Sequence, residues 1–293
     1  MAHKSGFVNI IGNPNVGKST LMNEFVGEKL SIITSKAQTT RHRIMGIVSG
    51  EDFQIVYSDT PGILKPNYRL QEKMLRFIDL ALEDADIILY VTDVKEKYDK
   101  NKKYIEKLKR AKIPIILVIN KIDLATQEEV ESIINQWEME LPDAKILAVS
   151  AIKKFNLESV FDQILEKLPE NPPFYSKDAL TDKPERFFVS EIIREKIFIN
   201  YKQEIPYSTE VQIEEFKEED KILNIRANIF VMRKSQRGII LGKQGRAIKK
   251  VGIQAREDLE SIYDKKVFLE LYVKVNTDWR EKEGFLRASG YNN

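Results

Sequence analysis

The chain has 293 residues, which at about 100 to 200 residues per domain implies two domains rather than one small module. Hydrophobic residues form 42% and charged residues 31%, enough apolar content for buried cores and incompatible with general disorder. The net charge is only +2, so a nucleic-acid surface requires uneven placement of the basic residues.

The absence of cysteine excludes disulfides, thiolate catalysis and cysteine-bound metal clusters. Two histidines, His3 and His42, are too few for a histidine metal centre. Residues 1–12 hold a short apolar stretch that runs into a Gly-containing motif, which does not read as a cleaved signal. The longest apolar runs, Ile87 to Val91 and Ile113 to Ile119, fall far below the ~20 residues that span a bilayer. A soluble cytoplasmic protein is the expectation.

From Phe7 to about Leu168, short β-branched runs alternate with longer segments of helical period, the pattern of a mostly parallel sheet covered by helices. The spacing predicts strands at Phe7 to Ile11, Ile44 to Val48, Phe53 to Ser58, Ile87 to Thr92, Ile113 to Asn120 and Lys145 to Val149. Helices are predicted at Lys18 to Gly27, Leu70 to Glu83, Lys100 to Arg110, Glu128 to Glu140 and Leu157 to Leu168. Ser49-Gly50-Glu51-Asp52 reads as a hairpin turn, which makes one strand an antiparallel edge.

Pro169, Pro172, Pro173 and Pro184 stand among charges without periodicity, as in an extended connector. The expected division is a nucleotide-binding domain over 1–170, a Pro-rich linker over 171–186 and a second domain with a tail over 187–293. In that second domain a helix is predicted from Glu185 to Phe198, with strands near Thr209 to Phe216 and at Ile222 to Val231. Further helices, a strand at Lys266 to Val275 and a frayed tail complete an α+β module.

Gly12-Asn13-Pro14-Asn15-Val16-Gly17-Lys18-Ser19 matches GxxxxGK[ST] between a strand and a helix, with Thr20 following. Backbone amides in such a loop, the helix N-terminus and Lys18 attract phosphate, and Ser19 can offer its hydroxyl to Mg²⁺. The motif marks a nucleoside triphosphate without choosing the base. Asn120-Lys121-Ile122-Asp123 follows the next-to-last strand, at the edge where open α/β sheets bind ligands. Asp123 can accept from the ring N–H and amine of guanine, a donor pair adenine lacks. Asn120 would tie this loop to the phosphate loop, the Lys121 stem would lie along the base, and Ser150-Ala151 would place an amide near the guanine oxygen.

Asp59-Thr60-Pro61-Gly62 ends the third strand, so Asp59 can hold Mg²⁺ through water while the Gly62 amide approaches a γ-phosphate. In Gln38-Thr39-Thr40-Arg41-His42, Thr40 is chosen over Thr39 as the threonine that reaches the metal. Lys18, Asn15, Thr40 and Gly62 are the expected catalytic set. With the motifs in this order, the first half resembles the translation-factor-like GTPases of the Ras-like superfamily. Many of those carry glutamine after the glycine of Asp-x-x-Gly, whereas here Ile63 follows and cannot orient water. Asn15 stands where potassium-activated relatives help to hold a monovalent cation, or is an ordinary turn residue.

Between Arg233 and Lys250 lie seven basic residues, Arg233, Lys234, Arg237, Lys243, Arg246, Lys249 and Lys250, and no acid. Gly242-Lys243-Gln244-Gly245 forms a GxxG step between an apolar turn, Gly238 to Leu241, and a helix from Arg246. This is the layout of a type II KH module, which clamps about four nucleotides of single-stranded RNA. The acidic run Glu214 to Asp220 should face away from RNA, and Tyr263, Trp279 and Phe285 read as core or tail contacts before base-stacking residues.

The joined halves resemble the Era family of bacterial ribosome-assembly GTPases over essentially the whole chain: GNPNVGKS, QTTRH, DTPG, NKID, GIILGKQGRAIKKVG and LELYVKVNTDWR. Ser150-Ala151-Ile152 departs from the commoner Ser-Ala-Lys. The resemblance implies an α/β P-loop GTPase followed by a type II KH domain, with GTP and GDP as ligands, Mg²⁺ as cofactor and K⁺ as a candidate activator. It further implies binding to the 3′ end of small-subunit (16S) ribosomal RNA on the assembling 30S particle, a monomer, and peripheral association with the inner membrane. The rival readings are a non-enzymatic RNA-binding scaffold and a GTPase of tRNA modification or protein targeting.

Overall fold

A computed structural model describes residues 2–96 and 101–292; the predicted helix start at Lys100 lies outside the described residues. Strands β1 (Lys4–Gly12), β2 (Ile44–Ser49), β3 (Phe53–Asp59), β4 (Ile87–Asp93), β5 (Ile115–Asn120) and β6 (Lys145–Ala148) form one sheet in the order β2-β3-β1-β4-β5-β6. All pairs are parallel except β2 with β3, as the Ser49 to Asp52 turn predicts. β5 begins at Ile115 rather than Ile113, since Pro114 has no N–H to give a ladder, although its carbonyl accepts from Ile88.

Alternation along the strands feeds two cores. Val8 and Ile10 of β1, Leu89 and Val91 of β4 and Ile116 and Val118 of β5 face α1 (Lys18–Val26) and α5 (Leu157–Lys167). Ile11, Ile88, Tyr90, Leu117 and Ile119 face α2 (Arg69–Glu83), α3 (Lys102–Lys109) and α4 (Gln127–Glu140). The order reverses around β1, so the loops after β1, β3, β4 and β5 meet at one edge. α4 starts with a capping box in which Thr126 and Glu129 satisfy each other's backbone amides.

The connector is extended and ordered. It covers the open edge of the sheet: Ile47 donates to the Leu180 carbonyl at 2.9 Å and Thr181 Oγ1 to the Met45 carbonyl at 2.7 Å. Gln54 binds it from inside, donating to the Tyr175 carbonyl and accepting from the amides of Phe174 and Tyr175.

The second module runs α6 (Glu185–Asn200), β7 (Glu210–Glu218), β8 (Ile222–Val231), α7 (Lys234–Leu241), α8 (Arg246–Tyr263) and β9 (Lys266–Val275). Its sheet has the order β7-β8-β9, antiparallel then parallel. Gly238 to Leu241 is the second half of helix α7, not a turn. Gln236 secures that helix start by accepting from the Met232 and Arg233 amides.

The tail is not frayed. A short 3₁₀ turn, Trp279–Glu281, and α9 (Glu283–Ala288) dock on α2, where Trp279, Leu286 and Tyr291 join Leu70, Met74 and Phe77 in a separate apolar cluster. Trp279 is fully buried and donates Nε1 to the Ser208 carbonyl, so it cannot stack on a base. Phe285 packs edge-on against Phe230 and Tyr263 is tilted against Phe216.

Candidate nucleotide site and nucleic-acid interface

The loop after β1 enters α1 through Gly17, whose φ of 103° is left-handed and whose missing side chain leaves room for the Asn120 amide. A Cβ there would lie 2.1 Å from Asn120 Nδ2. Asn120 donates Nδ2 to the Val16 carbonyl at 2.9 Å and accepts at Oδ1 from the Ala151 amide at 3.0 Å. One side chain therefore pins three loops together.

Asp123 is exposed, with Oδ1 accepting from Ser150 Oγ at 2.5 Å, while Ile122 lies in the same short turn. The Lys121 stem crosses the loop to reach the Asn15 carbonyl and the Asp93 carboxylate at 2.6 Å. Ile152 is 73% exposed at the rim of the cleft.

A cleft of about 350 Å³ opens over the phosphate loop and is lined by Pro14, Asn15, Gly17, Lys18, Ser19, Thr20, Thr40, Gly62 and Lys121 among the residues the motifs single out. Lys18 is buried and donates to the Asn13 carbonyl at 2.8 Å; burial lowers its pKa to about 8, opposed by the charges of Asp59 and Glu96. Gly12 accepts from the Ile63 amide at 3.1 Å. Thr60 is turned back to the Ile10 carbonyl and Pro61 is buried, so both support the loop from beneath. Ile63 packs in the apolar cluster with Ile11 and Ile78, away from the cleft.

Three oxygens converge under the cleft. Ser19 Oγ lies 2.6 Å from Asp59 Oδ2 and 2.9 Å from Thr40 Oγ1, which is itself 3.3 Å from the same carboxylate oxygen. The Thr39 hydroxyl points elsewhere, to Thr34 Oγ1 and the Lys36 carbonyl. Asp59 is fully buried, and its Oδ1 has no hydrogen-bond partner among the described residues. Burial pushes its carboxyl upward, with Lys18 and the Ser19 hydroxyl opposing. A hard divalent cation suits this oxygen set and would hold Asp59 as the carboxylate.

Sequence reasoning missed how the second module grips the loop that carries Thr40. Arg194 of α6 donates to the Thr39 carbonyl at 2.5 Å while pairing with Glu191. Arg41 is buried and reaches the Thr209 and Pro206 carbonyls and Glu210, at 2.7, 3.0 and 3.0 Å. Lys36 Nζ caps the end of α6 by donating to the Phe198 and Tyr201 carbonyls. His42 stacks on Tyr291 of the tail with centroids 4.2 Å apart. Burial, reinforced by Arg194, Lys183 and Arg41, holds His42 well below the ordinary histidine range and therefore neutral.

The Tyr291 hydroxyl donates to Glu210 at 3.1 Å, joining the tail to the Arg41 pair. Tyr291→Phe keeps the ring stack and loses this bond, so tail docking should weaken by about 1 to 2 kcal/mol. Hydrogen exchange at the α9 amides measures it: faster exchange is expected, and unchanged protection would contradict the assigned role.

On α7, the turn after it and the start of α8, with Arg233 just before α7, Arg233, Lys234, Arg237, Lys243, Arg246, Lys249 and Lys250 are all exposed, and none forms an ion pair among the described residues. They surround Gly242-Lys243-Gln244-Gly245, a tight turn with Gln244 at φ 54° and Gly245 at 74°, directly before the N-terminus of α8. Ile239, 49% exposed, adds apolar surface beside it. The acidic residues of β7 and its turn are occupied with Arg226, Lys217 and Lys265 on the sheet.

A phosphate loop, a guanine-type specificity loop and a KH-type clamp on one chain define a P-loop GTPase joined to an RNA-binding module. The family model for 50S ribosome-binding GTPases matches residues 7–121, and that for the KH domain matches residues 204–280. The GTPase Era of Staphylococcus haemolyticus is 44% identical over 291 residues, covering 99% of this chain and 97% of its own. The GTPase Era of Alkaliphilus metalliredigens is also 44% identical, over 99% and 100% of the two chains. Among solved structures, an Era in complex with MgGDPNP and nucleotides 1506–1542 of 16S ribosomal RNA superposes with a TM-score of 0.95 at 39% identity, over 99% of this chain and 100% of that one. A variant of Aquifex aeolicus Era bound to GDP·AlF4⁻ gives 0.94 at 39% identity over the same shares. The chain belongs to the Era family of GTPases, and its reaction is the hydrolysis of GTP.

Proposed function

We propose that this protein is a GTP-driven switch that holds the 3′ end of 16S ribosomal RNA on its KH module and assists assembly of the small ribosomal subunit. The observation that carries the reading is one continuous loop: Thr40 faces Ser19 and Asp59, while its neighbours Thr39, Arg41 and His42 are held by the module that bears the GxxG clamp. The RNA-bound relative supports the choice of RNA.

Ser19, Thr40 and Asp59 are the residues that would hold the metal, on the convergence of their oxygens, and the relative bound to MgGDPNP supports Mg²⁺ as its identity. When bound, the ion supplies positive charge against the triphosphate. Lys18 and the amides of the phosphate loop neutralise developing negative charge, the Gly62 amide would meet the γ-phosphate, and Asp123 selects guanine. We further propose that the protein acts as a monomer; the support is the family resemblance. We further place the protein in the cytoplasm with peripheral contact to the inner membrane; the support is the family resemblance. Among the described residues no helix is long and apolar enough to cross a membrane.

Steady phosphate release with Mg²⁺, together with RNA titration of the GDPNP-loaded protein, tests the reading; failure of either half overturns the switch. Potassium is the proposed monovalent activator. Asn15 lines the cleft and its Nδ2 donates to the Ser35 carbonyl at 3.0 Å, which sets two oxygens, its own and that of Ser35, beside the phosphate loop. Hydrolysis should run several-fold faster in K⁺ than in Na⁺ at equal ionic strength. Equal rates would remove potassium from the account.

A further inference from the structure

The side chain that follows Asp-x-x-Gly cannot orient water here, because Ile63 is apolar and packed into the core. A different amide stands at the cleft. Gln38 lines it together with Lys18, Thr40 and Gly62. Its φ of 59° is a left-handed conformation that a non-glycine residue adopts only when its surroundings fix it.

Those surroundings also fix which end of the amide faces the cleft. The Asn67 backbone amide, which can only donate, bonds Gln71 Oε1 at 2.8 Å. Gln71 must then present its Nε2, and does so to Gln38 Oε1 at 3.1 Å. The Tyr68 hydroxyl donates to the same oxygen at 3.0 Å. Both acceptor positions of Gln38 Oε1 are thereby used by residues outside the cleft lining, and its NH₂ group has no protein partner among the described residues. The network is braced from the second module, since the Arg280 guanidinium lies over the Tyr68 ring at 4.1 Å.

We propose that Gln38 is a catalytic residue, its Nε2 donating to the γ-phosphoryl group as water attacks, with Tyr68 and Gln71 as positioning residues. The water oxygen forms the new bond to the γ-phosphorus while the bond to the β–γ bridging oxygen breaks. The electron pair of that bond leaves with GDP, and the water protons end on inorganic phosphate and solvent. A donor fixed in advance costs no reorganisation when charge develops on the phosphoryl oxygens. The proposal rests on the phosphate site described above and adds a residue to it.

The test uses full-length Gln38→Ala and Gln38→Met, the latter filling the same space without an amide. Single-turnover hydrolysis at saturating GTP should fall by about 10²-fold in both, in K⁺ and Na⁺ alike. GDPNP affinity should stay within about threefold of wild type, and binding of GDP·AlF4⁻ should weaken in step with the rate. Tyr68→Phe, which frees one side of the amide, should give an intermediate loss. Wild-type hydrolysis in the Gln38 variants overturns the proposal. So does a parallel loss of GDPNP affinity, which would make Gln38 a bridge between two loops. Failure of the wild-type protein to bind GDPNP would instead overturn the phosphate-site reading.

Discussion

Asp123→Asn should weaken GTP binding by about 10³-fold or more and improve binding of xanthosine triphosphate. The carboxylate can only accept, and the N1–H and 2-amino group of guanine need two acceptors; leaving either donor unpaired in a closed site carries a large penalty. An amide at 123 can donate to the 2-carbonyl of xanthine, which the carboxylate repels. The fold should be untouched, because Asp123 is exposed and its one hydrogen-bond partner among the described residues, Ser150 Oγ, can donate equally to an amide oxygen. Competition titrations with GTP, XTP and ATP measure the effect. An unchanged preference for GTP over ATP would contradict the assignment of the base.

Replacing Lys243 and Gln244 together by Asp should abolish measurable RNA binding at moderate salt while sparing nucleotide binding. The substitution turns a positive clamp doubly negative, and repulsion of RNA phosphates costs on the order of 1 kcal/mol or more per charge at low salt. Loss of the Lys243 attraction and of close backbone approach at the GxxG turn adds to this. Both side chains are exposed and neither is among those that grip the Thr40 loop, so basal hydrolysis should remain near wild type. One RNA titration and one nucleotide titration on the same preparation decide it. Normal RNA binding would reduce the GxxG to a turn, and loss of GTP binding would contradict the separation of the two sites.

The GTPase half was legible because its signals are local. Each motif stands at the end of a β-branched run, and burial of both sheet faces makes those runs continuous. The second module was legible in order but not in detail: Gly238 and two isoleucines have poor helix propensity, yet side-chain capping by Gln236 and burial of Ile240 override it. Trp279, Phe285, Leu286 and Tyr291 were the available sign that the tail docks, four large side chains in a mostly polar segment. Nothing local marks the grip on the Thr40 loop. Arg41, Arg194, Glu191 and Glu210 look like surface charges, and only tertiary contact across more than 150 residues of chain buries them. The amide direction of Gln38 was equally hidden, since it follows from a chain of hydrogen bonds that starts at a backbone N–H.

Coupling of GTP to a defined RNA end within one chain is open to direct measurement. Crosslinking the GDPNP-loaded protein in cell extract and sequencing the attached RNA tests it most directly. Enrichment of the 3′ end of 16S ribosomal RNA is expected, lost when Lys243 and Gln244 are replaced by Asp; enrichment of tRNA instead, or no enrichment over the GDP-loaded protein, would show that GTP is not coupled to this RNA end.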